Sequence, residues 1–189
     1  MISFKAKFIN YGYVQTLDTN NKKKRQKVAF VELDPKYYKD FNAVNKVVGS
    51  WGFNAPIGQH IRKSMEERND EFVYYDEQFF ALTEQRDSFL SLEPSKILGL
   101  IQMNKDTYSD DGMKIEYLQV RPDCCGSHNM KKNVYNAGKR ILKYIEKIFK
   151  NSDIYVASAP GAVDFYKKCG YEVCGCLAGT DLVKRRKLL

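Results

Sequence analysis

The amino-acid sequence predicts one α/β (α+β) domain with a central mixed, mostly antiparallel sheet and helices on both faces. Three observations lead to this fold class. Strand-like segments and two helical segments fill the first part of the chain. Aromatic-rich, strand-prone runs follow and favour an antiparallel meander. The last part alternates strand, helix, strand, helix and strand, an order typical of sheets covered on both sides. A length of 189 residues suits a single domain spanning residues 1–189.

Turn-forming residues divide the first half of the chain into elements. Asp34 and Pro35 end an apolar run, and Gly52 and Pro56 separate two helical stretches. The stretch 18–27, DTNNKKKRQK, is predicted to be a polar turn or mobile loop. The predicted elements are strands at 3–16 and 28–33, helices at 36–49 and 56–68, strands at 72–75, 79–84 and 95–103, and a turn at 106–112.

The clearest pattern in the chain is a strand, a basic loop and a helix between residues 113 and 150. The strand is predicted at 114–120 and the helix from about 132 to 150. A helix N-terminus presents free backbone N–H groups at the positive end of the helix dipole, so this arrangement predicts an anion site. Apolar residues at spacings of three and four form one stripe on the helix: Val134, Ala137, Gly138, Ile141, Leu142, Ile145, Ile148 and Phe149.

A further strand–helix–strand unit follows this helix. It consists of a strand at 153–159, a short helix at 162–169 and a strand at 171–178. Gly170 is predicted to cap the short helix at its C-terminus. The final segment, DLVKRRKLL, adds a strand or a tail.

The composition narrows the function classes. The net charge of +8 indicates affinity for anions, such as phosphorylated cofactors, acidic substrates or nucleic acid. Apolar runs are too short to span a membrane, and the first residues lack the features of a signal peptide, so a cytoplasmic location without membrane partners is predicted. The odd number of cysteines, five, argues against a disulfide scaffold.

Three segments of the second half form a recognisable series. The strand ILGLIQM carries a glycine after its first apolar pair. The run IEYLQVRP is followed by a loop and by NAGKRILKYIEKIF, and the run GAVDFYKKCGYEVCG comes after the strand IYVASA. In this order, over about residues 96–176, they resemble the GNAT superfamily of N-acetyltransferases. The three would be its central hairpin strand, its acetyl-CoA pyrophosphate motif and the segment that closes its CoA site.

The resemblance implies a GNAT-like acyl-CoA N-acyltransferase fold, with residues 96–176 as the CoA-binding and catalytic half and residues 1–27 as an N-terminal extension. It implies an enzyme that transfers an acetyl group from acetyl-CoA, its co-substrate, to a primary amine by direct attack on the thioester. In this family the strand equivalent to 114–120 splays from its neighbour, here 153–159, and CoA fills the gap. The cofactor-binding residues implied are Leu118, Gln119, Val120, Asn133, Val134, Tyr135, Asn136, Ala137, Gly138, Lys139, Arg140 and Tyr166, with Lys131 and Lys132 as further phosphate contacts.

Two catalytic roles are implied by the resemblance. Tyr166 matches the general acid of the family, and a phenol with a pKa of about 10 suits a thiolate leaving group better than a carboxylic acid does. Glu116 lies where some members place a catalytic glutamate, and strand alternation puts it on the same face as Leu118 and Val120. Water is the alternative acceptor of the amine proton.

The chain departs from the family pattern at three positions. Asn136 stands where the first glycine of the phosphate loop is usual, and Asn133 stands where glutamine or arginine is usual. Asparagine is the best non-glycine residue for a positive φ, so Asn136 is predicted to serve. Gly138 matches the final glycine and lets the pyrophosphate approach the helix. Ala159 replaces an asparagine that bonds CoA in many members.

Other hypotheses remain open for the function. One is a non-catalytic GNAT-fold protein that binds CoA or a partner, and another is a GNAT-type toxin that acts on aminoacyl-tRNA. The acceptor amine is not readable from the sequence; it belongs to a small molecule, a peptide or a protein. Nucleic acid and a homodimer stay open as partners, with the aromatic-rich block 72–80 as one nucleic-acid candidate.

The remaining chemistry-bearing residues have simpler interpretations. Trp51 lines an acceptor pocket or packs in the core, and His60 is an ordinary polar residue rather than a base. Cysteine and histidine side chains offer zinc ligands, but the Cys-Cys-x-x-His spacing is not a common zinc knuckle, so no metal site is predicted. A Cys–His nucleophile lacks an orienting third group. Two of these cysteines are predicted as small buried residues on one face of a strand. The residues concerned are Cys124, Cys125 and His128 in the loop, and Cys174 and Cys176 in the strand.

Overall fold

The computed structural model describes residues 6–52, 56–68, 76–105, 112–125, 131–177 and 179–185. Within these ranges the strands form one sheet in the order β6-β1-β2-β3-β4-β5-β7-β9-β8. The strands are β1 Lys7–Leu17, β2 Lys23–Leu33, β3 Gln78–Thr83, β4 Ile97–Lys105, β5 Met113–Val120, β6 Val134–Tyr135, β7 Ile154–Ser158, β8 Glu172–Leu177 and β9 Thr180–Arg185. The helices are α1 Tyr38–Trp51, α2 Pro56–Glu67, α3 Pro122–Cys125, α4 Ala137–Ile148 and α5 Val163–Lys168.

The sheet is antiparallel at every pairing of the described strands except that of β5 with β7. That parallel pairing is short, because it joins only Met113–Ile115 to Ile154–Val156. Beyond Ile115 and Val156 the two strands separate, and the C-terminal half of β5 has no partner on that side among the described strands. This splay opens the sheet at one end and is the feature that creates the site described below.

Helices cover both faces of the sheet, so the protein has a core on each side. On one face α4 and α5 pack against strands through buried residues such as Phe30, Ile101 and Ile141. On the other face α1 and α2 pack against residues such as Val31 and Leu100. Burial of side chains of this size contributes about 1.5–3 kcal/mol each and holds the helices on the sheet. The sequence prediction of a mixed, mostly antiparallel sheet with helices on both faces is confirmed.

Helix α4 lies unusually close to the middle of the sheet. A Cβ atom added at Gly99 in β4 would lie 2.6 Å from Cδ1 of Ile141, a residue that is fully buried. The glycine in the ILGLIQM strand therefore has a packing reason, since a side chain there would force the Ile141 side chain of α4 to shift.

The N-terminal segment differs from the prediction. The polar turn spans only the residues between Leu17 and Lys23, and the basic run that follows is the first part of β2. Residues of β1 form an antiparallel ladder with β2 from Lys7 to Leu17, so this segment is part of the sheet. The charged residues do not break the strand because they lie at the exposed end of the hairpin, where they remain in water.

Helix α4 also begins later than predicted. It starts at Ala137 rather than near residue 132, because Val134 and Tyr135 form the short strand β6 against β1. The final segment forms β9 as far as Arg185. The strand predicted at 72–75 and nearly all of the turn predicted at 106–112 lie outside the described residues. No helix in the described part of the chain is long and apolar enough to cross a membrane.

Candidate active site

A cavity of about 650 Å³ lies where β5 and β7 separate, between the end of β5, the start of α4 and the helix α5. Its walls combine apolar side chains with lysines and backbone. The residues that line it are Leu118, Gln119, Val120, Cys124, Cys125, Lys132, Asn136, Ala137, Gly138, Lys139, Gly161, Ala162, Phe165, Tyr166, Lys168 and Cys169. A concave site of this size with a few polar groups is suited to a small ligand or cofactor.

The start of α4 forms one wall of the cavity. Asn136 precedes the helix with φ 67° and ψ 15°, which is the left-handed region, and its side chain makes no capping hydrogen bond. The first helical hydrogen bond joins the Arg140 N–H to the Asn136 carbonyl at 2.9 Å. The N–H groups of Ala137, Gly138 and Lys139 precede that bond, so they have no partner within the helix, and all three residues line the cavity. The predicted positive φ at Asn136 is therefore present.

The helix start is held in place by a short chain of polar contacts. Asn133 N–H donates to the Asp123 carbonyl at 3.0 Å, while the Asp123 carboxylate accepts from Arg121 Nε at 2.7 Å. The Asn133 carbonyl in turn accepts from Leu17 N–H at 3.2 Å, which ties the loop to β1. These bonds fix the entry of the chain into α4 without a side-chain cap.

The predicted cofactor residues divide into two groups. Most of them line the cavity, including the end of β5 and the first turn of α4. Val134 and Tyr135 instead pair with Thr16 and Gln15 of β1. Arg140 Nε donates to the Tyr13 carbonyl at 2.9 Å and so braces α4 against β1. The residues of the prediction that line the cavity are Leu118, Gln119, Val120, Asn136, Ala137, Gly138, Lys139 and Tyr166, and those that do not are Asn133, Val134, Tyr135 and Arg140.

The two further phosphate candidates, Lys131 and Lys132, also differ in position relative to the cavity. Lys132 lines the cavity, whereas Lys131 Nζ donates to the side chain of Asn21 at 2.9 Å. Ser158 precedes Ala159, the position where the family pattern usually has asparagine. Ser158 is buried, and its hydroxyl donates to the Ala159 carbonyl at 3.0 Å.

Close packing gives a second reason for glycine at position 138. The first, from the sequence, is that glycine lets the pyrophosphate approach the helix. A Cβ atom at this position would lie 3.0 Å from Cζ of Phe165 on α5. The ring of Phe165 thus rests directly on the first turn of α4 and closes one side of the cavity. The sequence analysis missed Phe165, although it directly precedes the predicted acid and its aromatic type was already part of the quoted motif.

Tyr166 presents a buried phenol on the cavity wall. Its side chain is almost fully buried, and this burial raises the pKa of the phenol above its usual value. A tyrosine is already protonated at neutral pH, and the raised pKa makes this phenol a weaker acid than a free tyrosine, so in the unliganded site it is a hydrogen-bond donor and cannot act as a base. Its ring lies against Phe165 and Tyr171, at centroid distances of 5.2 and 5.6 Å.

Glu116 lies on the opposite face from the one predicted. The ladder between β4 and β5 shifts at Gln102/Met103, where β5 carries an extra residue. Ile115 and Leu118 therefore share the α4 face although they are three residues apart. The carboxylate of Glu116 lies 2.7 Å from Lys114 Nζ, on the face covered by α2. Simple alternation failed because the bulge adds one residue between the two paired segments.

A second group of polar residues lies near Glu116, on the α2 face. Burial raises the pKa of the Glu77 carboxyl, and the negative charge of Glu116 raises this pKa further. Arg68 and Gln102 act in the opposite direction and lower it. Gln102 Nε2 donates to Glu77 at 3.0 Å. His60 on α2 stacks on Tyr117 of β5, with 5.0 Å between ring centroids.

The cysteines are distributed differently from the prediction. Cys124, Cys125 and Cys169 line the cavity, which the sequence did not indicate. Cys174 and Cys176 are exposed rather than buried, because β8 is the outermost strand of the sheet at that end. Trp51 is buried in the core under α1. Within the described ranges no group of three potential metal ligands comes together, and His128 lies outside those ranges.

Solved structures share this fold. An acetyltransferase from Thermus thermophilus superimposes with a TM-score of 0.54 at 14% identity, covering 84% of this chain and 96% of that one. A provisionally named acetyltransferase of the GNAT family from Desulfovibrio desulfuricans gives 0.53 at 16% identity, covering 83% and 96%. The chain has the GNAT acetyltransferase fold. No family model matches the sequence, and no curated protein matches it either.

A third neighbour, a provisionally named acetyltransferase from Exiguobacterium, covers 84% of this chain with a TM-score of 0.52 at 15% identity. These alignments extend well beyond residues 96–176, so the N-terminal half shares the fold although it carries no recognisable motif. The low identities limit the comparison to the fold.

Proposed function

We propose that the protein transfers an acetyl group from acetyl-CoA to a primary amine. The observation that carries this proposal is the cavity beside the C-terminal half of β5, beyond its pairing with β7, which is also lined by the first turn of α4. We propose that the whole chain acts as one GNAT-like domain, with residues 96–176 as its CoA-binding and catalytic half.

The first turn of α4 binds the pyrophosphate in this proposal. Ala137, Gly138 and Lys139 direct free N–H groups to one end of the cavity, and Lys132 and Lys139 line it. Each favourable charge contact with the helix dipole contributes about 0.3–1 kcal/mol. The free edge of β5 at Leu118–Val120 offers main-chain groups to the pantetheine arm, because β7 has already diverged there.

The chemical step needs one acid and one base. The amine nitrogen attacks the thioester carbonyl carbon, a C–N bond forms, and the C–S bond breaks. Tyr166 donates its phenolic proton to the departing sulfur as negative charge develops there, and the phenolate then takes a proton from water to complete the cycle. The proton lost by the amine goes to Glu116, directly or through water. Glu116 lies on the α2 face, so the amine approaches from that face, beside His60 and Tyr117.

The test is release of free CoA thiol from acetyl-CoA in the presence of candidate acceptors. The panel contains small amines, peptides with free N-termini or lysines, and aminoacyl-tRNA, with a reaction lacking acceptor as the control. Acceptor-dependent thiol release with a matching acetylated product is the expected result. Acetyl-CoA binding without turnover on any acceptor would instead support a non-catalytic CoA-binding protein. Absence of both binding and turnover would contradict the proposal.

A further inference from the structure

One surface of the sheet is both basic and aromatic, and the proposed acetyl transfer uses only one of its residues, Lys132. We define the basic edge as Tyr11 and Tyr13 of β1, Tyr135 of β6, Lys23, Arg25 and Lys27 of β2, and Lys132 before β6. The β-strand members lie on one face, because residues two apart on a strand and residues directly opposite on neighbouring strands share a face.

Cations of the basic edge lie over its tyrosine rings. Lys27 Nζ is 3.8 Å from the centroid of the Tyr11 ring, and the Arg25 guanidinium carbon is 4.1 Å from that of Tyr13. The ring of Tyr135 lies between two lysines, with Lys23 Nζ at 5.1 Å and Lys132 Nζ at 5.3 Å. The rings are therefore held in fixed positions by the cations that surround them.

The rings and cations of this surface remain accessible. Tyr11 is 38% exposed and Tyr13 is 43% exposed, although aromatic side chains are normally among the more buried residues. Further along the same face, Ala29 and Val31 of β2 are fully buried under the core that α1 and α2 complete. The helical cover thus stops before Lys27, and the described neighbours of the Tyr11 ring are Phe8, at 4.5 Å between ring centroids, and Arg86, whose carbonyl accepts from the Tyr11 hydroxyl at 2.8 Å.

The charge of the basic edge is not neutralised by carboxylates of the described residues. None of Lys23, Arg25, Lys27 and Lys132 has such a carboxylate within 4.0 Å. By contrast, Lys7 at the other end of the same hairpin is paired with Glu32 at 3.5 Å. Four cations arranged in this way, spread over flat aromatic rings, complement a polyanion that also carries planar groups.

The spacing of the rings selects the form of that polyanion. Tyr11 and Tyr13 are two residues apart on a strand, so their Cα atoms are separated by about 6.8 Å. Stacked bases along one strand of a duplex repeat at about 3.4 Å, which is half that distance. An extended single strand can present successive unstacked bases at the wider spacing, and its phosphates then face the interleaved cations.

We infer that the basic edge binds single-stranded nucleic acid, with bases stacked on Tyr11 and Tyr13 and phosphates paired with Lys23, Arg25 and Lys27. The guanidinium of Arg25 over Tyr13 widens this platform, because bases stack on guanidinium planes as well as on aromatic rings. The inference does not depend on acetyl transfer. It places the bound strand beside the CoA cavity, since Lys132 belongs to both surfaces.

The test is fluorescence anisotropy of labelled oligonucleotides with the full chain over a range of salt concentrations. The probes are RNA and DNA single strands of about ten nucleotides, the matching duplex, an abasic strand of equal length, and poly-glutamate. We expect the protein to bind both single strands more tightly than the duplex, the abasic strand or poly-glutamate. A salt slope of about −0.7 per phosphate contact gives a value near −2 for three contacts.

The variants separate stacking from charge. Tyr13→Ala should weaken binding of the base-carrying strands at least fivefold, as loss of about 1 kcal/mol or more of stacking predicts, and should leave the abasic strand unchanged. Arg25→Ala with Lys27→Ala should reduce the salt slope by about 1.4. Lys24→Ala is the matched control, because Lys24 is exposed on the same strand but points to the opposite face.

Four results would each overturn the inference. The first is that the unaltered protein does not bind the single strands, and the second is that it binds the abasic strand or poly-glutamate as tightly as the base-carrying strands. The third is that it binds the duplex more tightly than the single strands. The fourth is that Lys24→Ala weakens binding as much as the Arg25→Ala, Lys27→Ala variant does. Acetyl-CoA stabilisation of every variant is measured in the same preparations. A variant that still gains stability from acetyl-CoA is folded, so failure of this inference can be distinguished from failure of the proposed transferase function.

Discussion

The cavity and the basic edge are both proposed to bind phosphate groups, but they are built in opposite ways. The cavity is concave and uses main-chain N–H groups at a helix start, which tight packing of α4 holds in place. The basic edge is an exposed surface that uses side-chain charge from β2 and Lys132, placed over tyrosine rings of β1 and β6. The comparison teaches that a site made of backbone depends on shape, whereas a site made of exposed side chains depends on charge and spacing.

The largest expected effect is a loss of kcat, because the proposed chemical step takes place at the cavity and not at the basic edge. Tyr166→Phe removes the hydroxyl that donates the proton in the proposed mechanism, so kcat should fall by about 10²–10⁴-fold while KM for acetyl-CoA changes little. Thiol-release kinetics measure both constants. Tyr171→Phe is the matched control, because Tyr171 is also a buried phenol with its ring 5.6 Å from that of Tyr166 but does not line the cavity. Equal activity of Tyr166→Phe and the unaltered protein would remove Tyr166 from the mechanism.

The next effect tests whether the cavity depends on close packing. Gly138→Val places a side chain against the Phe165 ring, where a Cβ alone would lie at 3.0 Å, so it should lower the free energy of unfolding by about 1–3 kcal/mol and weaken acetyl-CoA binding. Chemical denaturation and calorimetric titration measure these two quantities. Gly49→Val is the control, since Gly49 is also helical but has no atom within 4 Å of the added Cβ. The packing argument fails if the two variants behave alike.

A smaller effect should follow from the backbone conformation before α4. Asn136 has φ 67°, a region that costs most L-residues about 1–2 kcal/mol. Asn136→Ala should therefore destabilise the protein by about 1 kcal/mol and loosen the phosphate end, whereas Asn136→Gly should keep both stability and acetyl-CoA affinity. Melting curves with and without acetyl-CoA measure this. A Gly variant that loses affinity would show that the asparagine side chain itself contacts the ligand.

The smallest effect on stability should come from the basic edge. Tyr13→Ser removes a ring that is 43% exposed and its contact with Arg25, which at exposed sites is worth about 0.5–1 kcal/mol. Its melting temperature should fall by only a few degrees, and acetyl-CoA should stabilise it as well as it stabilises the unaltered protein. A large loss of stability, or of acetyl-CoA affinity, would mean that this ring is part of the cavity's support.

The same contrast explains which features the sequence could predict. The cavity follows from local patterns, because strand β5, the start of α4 and α5 each carry a short motif and lie close along the chain. The left-handed backbone at Asn136 followed from the intrinsic preference of asparagine. The face of Glu116 could not be predicted, since it depends on a bulge that appears only when β5 pairs with β4.

The basic edge was beyond sequence prediction for a different reason. Its tyrosines and cations meet only through the pairing of β1 with β2 and with β6, and the latter pairs residues more than a hundred positions apart. The basic run at Lys23–Lys27 resembled a loop because strand propensity is low for lysine. Pairing with the aromatic-rich strand β1 overrides that local preference, since cations of β2 lie over rings of β1.

The central claim, that the cavity is an acetyl-CoA site, is tested most directly by the free energy of unfolding with and without acetyl-CoA. At about 100 times the dissociation constant, acetyl-CoA should stabilise the protein by about 2.7 kcal/mol, a gain that Tyr13→Ser retains and Gly138→Val largely loses at the same concentration. An unchanged free energy of unfolding at millimolar acetyl-CoA would contradict the claim.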